Sequence, residues 1–309
     1  MLRSDASDHT QTPLPGGADT TSTGDTRQAS LWSDAWRQLR RNPVFVVASL
    51  LLVVLAVMAI FPQLFTRTDP LSCNLANSRG GPGTNGAWFG YDLQGCDYYA
   101  NIIYGVRVSM AIGLLVVGGA LIVGVVLGAL AGFYGGWFDA VMSRLTDIFF
   151  GLPLILGAII LLSAFTGDRG LPQVALALIA FGWMTILRLL RSSVIAVKSS
   201  DYVLAARALG ANDWRIITTH ILPNAIAPVL VYSTIAIGGI IAAEATLSFL
   251  GIGLQRPSIS WGLQINEARA FVRTSPFLLL IPSAFLSVTV LCFIMLGDAL
   301  RDALDPKLR

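Results

Sequence analysis

Six long stretches of this chain carry no charged side chain, and each is close to the length of a bilayer span. They cover residues 44–61, 108–133, 148–165, 171–187, 221–243 and 277–297. A helix that crosses the hydrocarbon core needs roughly 20 apolar residues. Helices are favoured over strands because backbone groups in lipid must be paired within the segment, and because no stretch alternates polar with apolar residues. The pattern predicts an all-α polytopic membrane protein with six transmembrane helices.

The basic residues predict which side of the membrane holds the termini. Six spans place both termini on one side, and with that arrangement fourteen of the 21 Lys and Arg residues lie on the side of the termini and seven on the other. The tightest cluster, Arg37, Arg40 and Arg41, lies directly before the first span. Because cytoplasmic loops carry the excess of Lys and Arg, both termini are expected in the cytoplasm.

Polar segments divide the rest of the chain. Residues 1–30 are rich in Ser, Thr, Asp, Gly and Pro, which predicts a disordered cytoplasmic tail. Residues 31–65 hold an amphipathic segment and the first span, and the amphipathic part is expected to be either an interfacial helix or a plain basic anchor. The remaining predicted units are an extracytoplasmic loop at 66–105, a core at 106–300 with a cytoplasmic loop at 198–220, and a cytoplasmic tail at 301–309.

Composition excludes several classes of protein. Hydrophobic residues make up 54% of the chain and charged residues 13%, which is too much apolar surface for a water-soluble core. The net charge of +3 reflects membrane orientation, because no basic stripe predicts a nucleic-acid groove. A P-loop needs Gly-x-x-x-x-Gly-Lys-Ser/Thr, and the two lysines, Lys198 and Lys307, follow Val197 and Pro306. Hydrolase motifs are missing too, so we expect no catalytic residue, metal or cofactor in this chain.

The polar loop after the fourth stretch contains a helix-forming insert. Ser200 or Asp201 can cap a helix start, good helix formers follow, and Gly210 suits a left-handed stop. Asn212 or Asp213 can then cap a second helix. We expect a short rigid helix that lies crosswise to the spans, with small side chains that allow a partner to dock closely.

This insert resembles the signature of ABC-importer permeases, in which two alanines are followed four positions later by glycine and then by a Leu-Pro ending. The matching residues are Ala205, Ala206, Gly210, Leu222 and Pro223. Leu204 stands where the family has an acidic residue that helps to hold the loop in its groove. The polar contact that this acid would make is therefore not expected here, and an apolar contact is expected to replace it.

Two further segments resemble the peptide-importer permeases. Residues 89–109 are similar to the start of the transporter core, although Tyr91 replaces the usual Thr and Cys96 the usual Arg. Residues 244–262 are similar to the stretch that follows the fifth span in that family. Together the segments resemble a type I ABC-importer permease, with a MetI-like core, of the dipeptide/oligopeptide (peptide/nickel/opine) family, the type with a long first extracytoplasmic loop.

The resemblance implies a set of partners and a coupling site. A second homologous permease, two ATPase subunits or one two-domain ATPase, and an extracytoplasmic substrate-binding protein would assemble with this chain in the bilayer of a bacterial plasma (inner) membrane. ATP and Mg would be bound by the ATPase, whose closure would move the spans through the insert. The coupling residues implied are Asp201, Ala205, Ala206, Arg207, Gly210, Asp213 and Trp214.

Several functional alternatives stay open at this point. The cargo implied is a di- or oligopeptide, but relatives with nickel, haem or opine cargo share these motifs. An ATP-independent channel or carrier is a rival class, and so is an intramembrane enzyme that uses Glu244 with Asp147. Glu244 is the one acid well within an apolar context, and it is expected to be either part of the translocation path or a hydrogen-bonded structural acid.

Cysteines and glycines give two further expectations. Cys73 and Cys96 share the long loop, and on an oxidising face they are expected to pair, which would be worth roughly 3 kcal/mol in the chain-entropy model. A metal site is disfavoured because no His or second cysteine pair is near, and Cys292 is expected to pack within the last span. A stripe of small residues in the second span, Gly124, Gly128 and Gly132, predicts close approach of a helix from this chain or from a second permease.

Overall fold

The computed structural model describes residues 36–165, 167 and 169–304. Nine helices of eight or more residues follow one another in that part: α1 (Pro43–Ile60), α2 (Tyr98–Tyr134), α3 (Gly136–Phe150), α4 (Leu154–Ser163), α5 (Leu171–Val197), α6 (Asp201–Ala208), α7 (Ala227–Phe249), α8 (Trp261–Ala268) and α9 (Phe277–Leu304). Shorter helical turns lie at Pro62–Leu64, Leu75–Asn77, Thr84–Gly86, Asp213–Arg215, Ile216–Ile221, Leu222–Ala225 and Arg269–Phe271. The predicted N-terminal tail, residues 31–35 of the amphipathic segment and residues 305–309 of the C-terminal tail lie outside the described residues.

Five of the helices, α1, α2, α5, α7 and α9, are long and apolar enough to cross a membrane. The pair α3 and α4 passes the same test only when it is counted as one broken span, which brings the total to six. No strand is present in the described ranges. The predicted all-α polytopic class is confirmed.

The third apolar stretch is broken rather than continuous. We expected one helix over residues 148–165, whereas α3 and α4 meet at 85°. The physical reason is Pro153, which lacks an N–H group and disfavours helical backbone at Leu152. The helix before the break also begins earlier than predicted, at Gly136 rather than at residue 148. Gly135 and Gly136 turn the chain out of α2 there, with φ values of 66° and 61°.

Other boundaries differ from the pattern because polar residues extend the helices. α2 begins ten residues before the predicted start at 108, and Asp97 caps it by accepting a hydrogen bond from the Ala100 N–H at 2.9 Å. α5 and α9 likewise continue past 187 and 297. Hydrophobicity marks the part of a helix that suits lipid, so it does not register the polar turns at either end.

The glycine stripe of α2 packs against α5 of the same chain. A Cβ atom on Gly124 would lie 2.7 Å from Ile186, and one on Gly128 would lie 2.8 Å from the Leu187 carbonyl oxygen. A Cβ atom on Gly132 would meet Val194 at 2.8 Å. Of the two expectations for this stripe, packing within one subunit is therefore the one confirmed.

Three loop regions meet at one end of the bundle, which we call the disulfide end. The predicted Cys73–Cys96 disulfide is present and closes the loop between α1 and α2. The Arg256 Nη2 donates to Gln94 Oε1 at 3.0 Å, which ties the loop after α7 to the disulfide loop. The segment before α5 joins the same end, because the Gln255 N–H donates to the Arg169 carbonyl at 3.1 Å.

Asp92 organises the backbone of the disulfide loop. Its Oδ1 accepts hydrogen bonds from the N–H groups of Gln94 at 2.9 Å and Cys96 at 2.8 Å. Burial raises the pKa of the Asp92 carboxyl, and the two backbone N–H groups oppose that shift. The carboxyl thereby fixes the turn directly before Asp97, the cap of α2.

Candidate coupling site and transport cavity

The short helix α6 forms at the other end of the bundle, as the insert predicts. Ser200 takes the N-cap position with extended backbone, although its side chain makes no capping hydrogen bond. Gly210 has φ 81° and stops the helix in the left-handed region. Asn212 caps the next turn, because its side chain accepts a hydrogen bond from the Arg215 N–H at 2.8 Å. The predicted local structure of the insert is confirmed.

One face of α6 is fixed to the bundle. Val203 is fully buried in a core cluster that includes Phe133 of α2. The Arg207 guanidinium lies 5.7 Å from the centre of the Phe133 ring. Just before α6, Lys198 Nζ donates to the Gly132 carbonyl at 3.0 Å, so it satisfies one of the free carbonyls at the end of α2. α6 therefore contacts α2 and follows directly from α5.

The other face of α6 and the turn after it carry exposed apolar side chains. The exposed fractions are 45% for Tyr202, 51% for Leu204, 88% for Leu209 and 71% for Trp214. A group of large apolar side chains at one place on the surface marks a site of interaction with another molecule. Leu204, the departure from the family signature, belongs to this group.

All seven residues predicted to couple the chain to an ATPase lie on this one segment. Asp201, Ala205, Arg207, Gly210, Asp213 and Trp214 are exposed, and Ala206 is half-buried. The two acidic residues lie in the first turns of their helices, where they interact favourably with the helix dipole. The segment thus offers a continuous surface rather than scattered positions.

A cavity of about 310 Å³ lies between α2, α5, α7 and the bend that joins α3 to α4. Val116 and Ala120 of α2 form one wall, and Phe149 and Leu154 flank the bend on another. The lining is mostly apolar, with hydroxyl groups from Thr185 of α5 and Tyr232 of α7. An apolar lining with a few polar groups is typical of cavities that bind small molecules.

Glu244 lies outside that cavity and is fully buried near the disulfide end of α7. Its Oε1 accepts hydrogen bonds from the hydroxyls of Ser248 at 2.7 Å and Ser260 at 3.1 Å. Its Oε2 has no partner among the residues that the structure describes. Ser260 also caps α8, by accepting from the Leu263 N–H at 3.2 Å. Glu244 therefore joins α7 to the start of α8.

Three comparisons place this chain among known proteins. Residues 124–309 match the family described as binding-protein-dependent transport system inner membrane component. Residues 30–82 match the N-terminal TM domain of oligopeptide transport permease C. The chain belongs to the binding-protein-dependent permease family. It is thus a permease subunit of an ABC importer, and its relatives are transport subunits rather than enzymes.

Curated relatives align over nearly the whole permease. The dipeptide transport system permease protein DppC of Alkalihalophilus pseudofirmus is 39% identical, and the alignment covers 91% of each chain. The oligopeptide transport system permease protein OppC of Bacillus subtilis is 36% identical over 92% of each chain. The glutathione transport system permease protein GsiD of Pectobacterium atrosepticum is 38% identical, over 90% of this chain and 92% of the relative.

Solved structures share the fold of the permease at lower identity. The MetNI methionine ABC transporter, described in inward-facing conformations, aligns with a TM-score of 0.53 and 20% identity, over 66% of this chain and 96% of that chain. An amino acid ABC transporter aligns with a TM-score of 0.51 and 18% identity, over 65% and 92%. These alignments show that the MetI-like core predicted from the resemblance is present.

The structure also reveals polar contacts that the sequence did not identify. Asp139 of α3 forms an ion pair with Arg191 of α5, and Asp147 of α3 forms one with Arg188. Asp147 also lies 3.9 Å from Arg144 of the same helix. The sequence does contain a sign of these pairs: two acids eight residues apart before a proline, and two arginines three residues apart after the fourth apolar stretch.

Proposed function

We propose that this permease carries di- or oligopeptides across a bacterial plasma membrane, and that a separate ATPase moves it through α6. The observation that carries the proposal is a helix with one face fixed to the bundle and the other exposed and apolar. Val203 is fully buried, whereas the next residue, Leu204, is 51% exposed. Because α6 is already folded and anchored, a partner that docks on it moves α5 and α2 without first ordering a loop.

The docking partner is expected to offer an apolar groove. Leu204, Leu209 and Trp214 supply large apolar side chains at the exposed face. A partner that covers them removes apolar surface from water, which is worth about 25 cal/mol per Å². Asp201 and Asp213 add charged groups at the helix starts. An ATPase that binds this permease therefore relies on apolar contact where the usual family pair would use an acidic side chain.

The complex proposed contains a second permease, two ATPase subunits or one two-domain ATPase, and a substrate-binding protein. ATP and Mg are bound by the ATPase. The excess of Lys and Arg supports a topology with α6 and both termini in the cytoplasm and with the disulfide end outside. The disulfide supports the same topology, since such bonds persist in oxidising compartments. The binding protein then delivers cargo to the disulfide end.

The relatives' names support peptide cargo, because they describe dipeptide, oligopeptide and glutathione transport. The cavity between α2, α5 and α7 supplies the translocation path in this proposal, with Thr185 and Tyr232 as its hydroxyl groups. Glu244 acts as a structural acid, since it is fully buried and lies outside that cavity. Nickel, haem and opine cargo remain the alternatives to be tested.

The test is uptake by the whole complex in proteoliposomes. The permease is reconstituted with its second permease, ATPase and binding protein, and a labelled dipeptide, a labelled pentapeptide, nickel and haem are offered in turn. We expect ATP-dependent uptake of the peptides, loss of uptake without the ATPase, and cross-linking of a cysteine at Leu209 to the ATPase. Uptake by the permease alone would contradict the proposal in favour of a channel or carrier, and uptake of nickel or haem alone would contradict the peptide cargo.

A further inference from the structure

The first helix of the bent pair, α3, is joined to α5 by two ion pairs whose spacing differs on the two helices. The two acids of α3 that form ion pairs are eight residues apart, a helical distance of about 12 Å, whereas their partners on α5 are three residues apart, about 4.5 Å. If α3 and α5 lay side by side along the same axis direction, the spacing of the two acids would equal the spacing of their two arginine partners. α3 therefore crosses α5 obliquely. It contacts α5 through these polar side chains and, next to the bend, through Phe149, whose ring centre lies 5.5 Å from that of Phe181.

We call these two ion pairs, Asp139–Arg191 and Asp147–Arg188, the clamp. Arg191 uses both Nε and Nη2 to contact both carboxylate oxygens of Asp139. Two-point contacts between guanidinium and carboxylate are directional as well as strong. The Asp139 and Arg191 side chains are only 19% and 31% exposed, so water screens this pair less than a surface pair.

The second ion pair is reinforced by two neighbours of Asp147. Arg188 donates from Nε and Nη2 to the hydroxyl oxygen of Thr146, each at 3.2 Å. Its guanidinium also lies 4.3 Å from the centre of the Phe150 ring, a cation–π distance. Arg188 thus holds the last two turns of α3, directly before the bend.

The clamp connects the docking helix to the wall of the cavity. α5 runs without a break from its cavity-lining residue Thr185, through Arg188 and Arg191, to the turn before α6. On the other side of the clamp, Phe150 and Leu152 line the cavity at the bend. A displacement of α6 that rotates α5 is therefore transmitted to the bend.

We propose that the clamp makes the bend between α3 and α4 the moving wall of the translocation cavity, with Asp139 and Arg191 as its positioning residues. This inference rests on the proposed function, since the movement starts at the ATPase. A leucine pair would hold two helices together with less desolvation. The ion pairs also fix the orientation of α3 relative to α5, and a helix that transmits movement needs a fixed orientation.

The first measurement uses thiol labelling at the bend of the complete complex. Leu152, 43% exposed in the cavity wall, is replaced by cysteine in a permease whose other cysteines are disulfide-bonded or buried. We expect the labelling rate of Leu152→Cys to change severalfold between the nucleotide-free and the ATP–vanadate states, and this change to vanish when Asp139→Asn is added. Equal labelling rates in the two nucleotide states, in a complex that still imports cargo, would overturn the proposal.

The second measurement is the number of cargo molecules imported per ATP hydrolysed. In Asp139→Asn we expect this ratio to fall roughly tenfold, the size that loss of one charge-assisted contact implies, while ATP hydrolysis continues. The exchanged pair Asp139→Arg with Arg191→Asp should restore the ratio. The matched control is Asp298→Asn, which makes the same chemical change at an exposed acid on α9, away from the clamp.

The outcomes separate the clamp from the proposed function and from simple stability. Absence of ATP-driven uptake in the wild-type complex would contradict the proposed function itself. A wild-type import ratio in Asp139→Asn would contradict the clamp alone. If Asp139→Asn fails to assemble, the variant with the exchanged pair is measured instead. Assembly with a wild-type import ratio and with nucleotide-dependent labelling of Leu152→Cys supports the clamp. Assembly without nucleotide-dependent labelling contradicts it.

Discussion

Backbone conformation and burial distinguish several single residues of this permease. Gly210 and Glu244 are the clearest cases, since one sets a left-handed turn and the other joins two helices. Neither contacts the cavity. Their effects on transport are therefore expected to come from geometry.

Replacement of Gly210 by valine is expected to strain the turn that ends α6. The residue has φ 81°, which costs an L-residue about 1–2 kcal/mol, and no atom lies within 4 Å of an added Cβ, so steric contact is not the cause. We expect the complex to assemble but to hydrolyse ATP without matching uptake. Gly210→Asn is the control, because Asn tolerates left-handed backbone. Wild-type uptake in the valine variant would contradict the role of α6.

Replacement of Glu244 by glutamine is expected to be tolerated, whereas leucine is not. Glutamine keeps an oxygen to accept from Ser248 and Ser260, and leucine leaves both hydroxyls without that acceptor at a cost of about 1–3 kcal/mol each. The midpoint of thermal unfolding in detergent should be lower for Glu244→Leu and close to wild type for Glu244→Gln. Equal midpoints for both variants would show that the carboxyl does not join α7 to α8.

At the scale of elements, two close contacts set the positions of α2. Its glycine stripe meets α5, and its first turn follows the disulfide loop. Both were visible as motifs in the sequence, which paired the two cysteines but did not identify α5 as the partner of the glycine stripe. Each leads to a stability prediction with a control on the same chain.

Replacement of Gly128 by alanine is expected to destabilise the contact between α2 and α5. The new Cβ would lie 2.8 Å from the Leu187 carbonyl oxygen, and backbone atoms move at a cost of about 1–3 kcal/mol. Gly118, on the same helix, has no atom within 4 Å of an added Cβ. Gly118→Ala should therefore leave the unfolding midpoint unchanged or raise it. If both alanines lower it equally, the close contact does not decide stability.

Removal of the Cys73–Cys96 bond is expected to loosen the disulfide loop. The bonded residues are 23 positions apart, and closure of such a loop is worth about 3 kcal/mol in the chain-entropy model. The double change to serine should speed proteolysis within residues 61–97, while Cys292→Ala, at a buried free cysteine, should not. Mass spectrometry without reductant is an independent check, and two free thiols at these positions in the mature protein would contradict the bond.

At the scale of the whole molecule, the two ends of the bundle differ in chemistry. One end carries the disulfide and the Arg256 contacts, and the other carries α6 and the cluster around Phe133. A transporter that receives cargo on one side and movement on the other needs this difference. The proposed topology follows from it.

Opposite labelling of the two ends is the whole-molecule prediction. Thr84 and Leu209 are both exposed, Leu209 by 88%, and they lie at opposite ends of the bundle. In intact spheroplasts a membrane-impermeant maleimide should therefore label Thr84→Cys at the disulfide end and should not label Leu209→Cys. Permeabilisation should make Leu209→Cys reactive. Labelling of Leu209→Cys in intact cells would place α6 outside and end the proposal that an ATPase moves it.

The sequence by itself determined the class of protein and the local form of the insert. Runs of about 20 apolar residues require helices in lipid, and the capping residues and Gly210 fix the ends of α6 through local backbone chemistry. These properties depend on neighbours in the chain, which a sequence displays directly. The motifs around residues 89–109, 201–223 and 244–262 added the family.

Only the tertiary structure decided which distant groups meet. It brought the Gly128 backbone against Leu187, paired Asp139 with Arg191 across 52 positions, and placed Glu244 with Ser260 outside the cavity. The 85° bend at Pro153 also became visible only there, because a proline either kinks a membrane helix or is tolerated according to its neighbours. Contacts of this kind depend on how helices cross, and periodicity along one chain carries no information about that crossing.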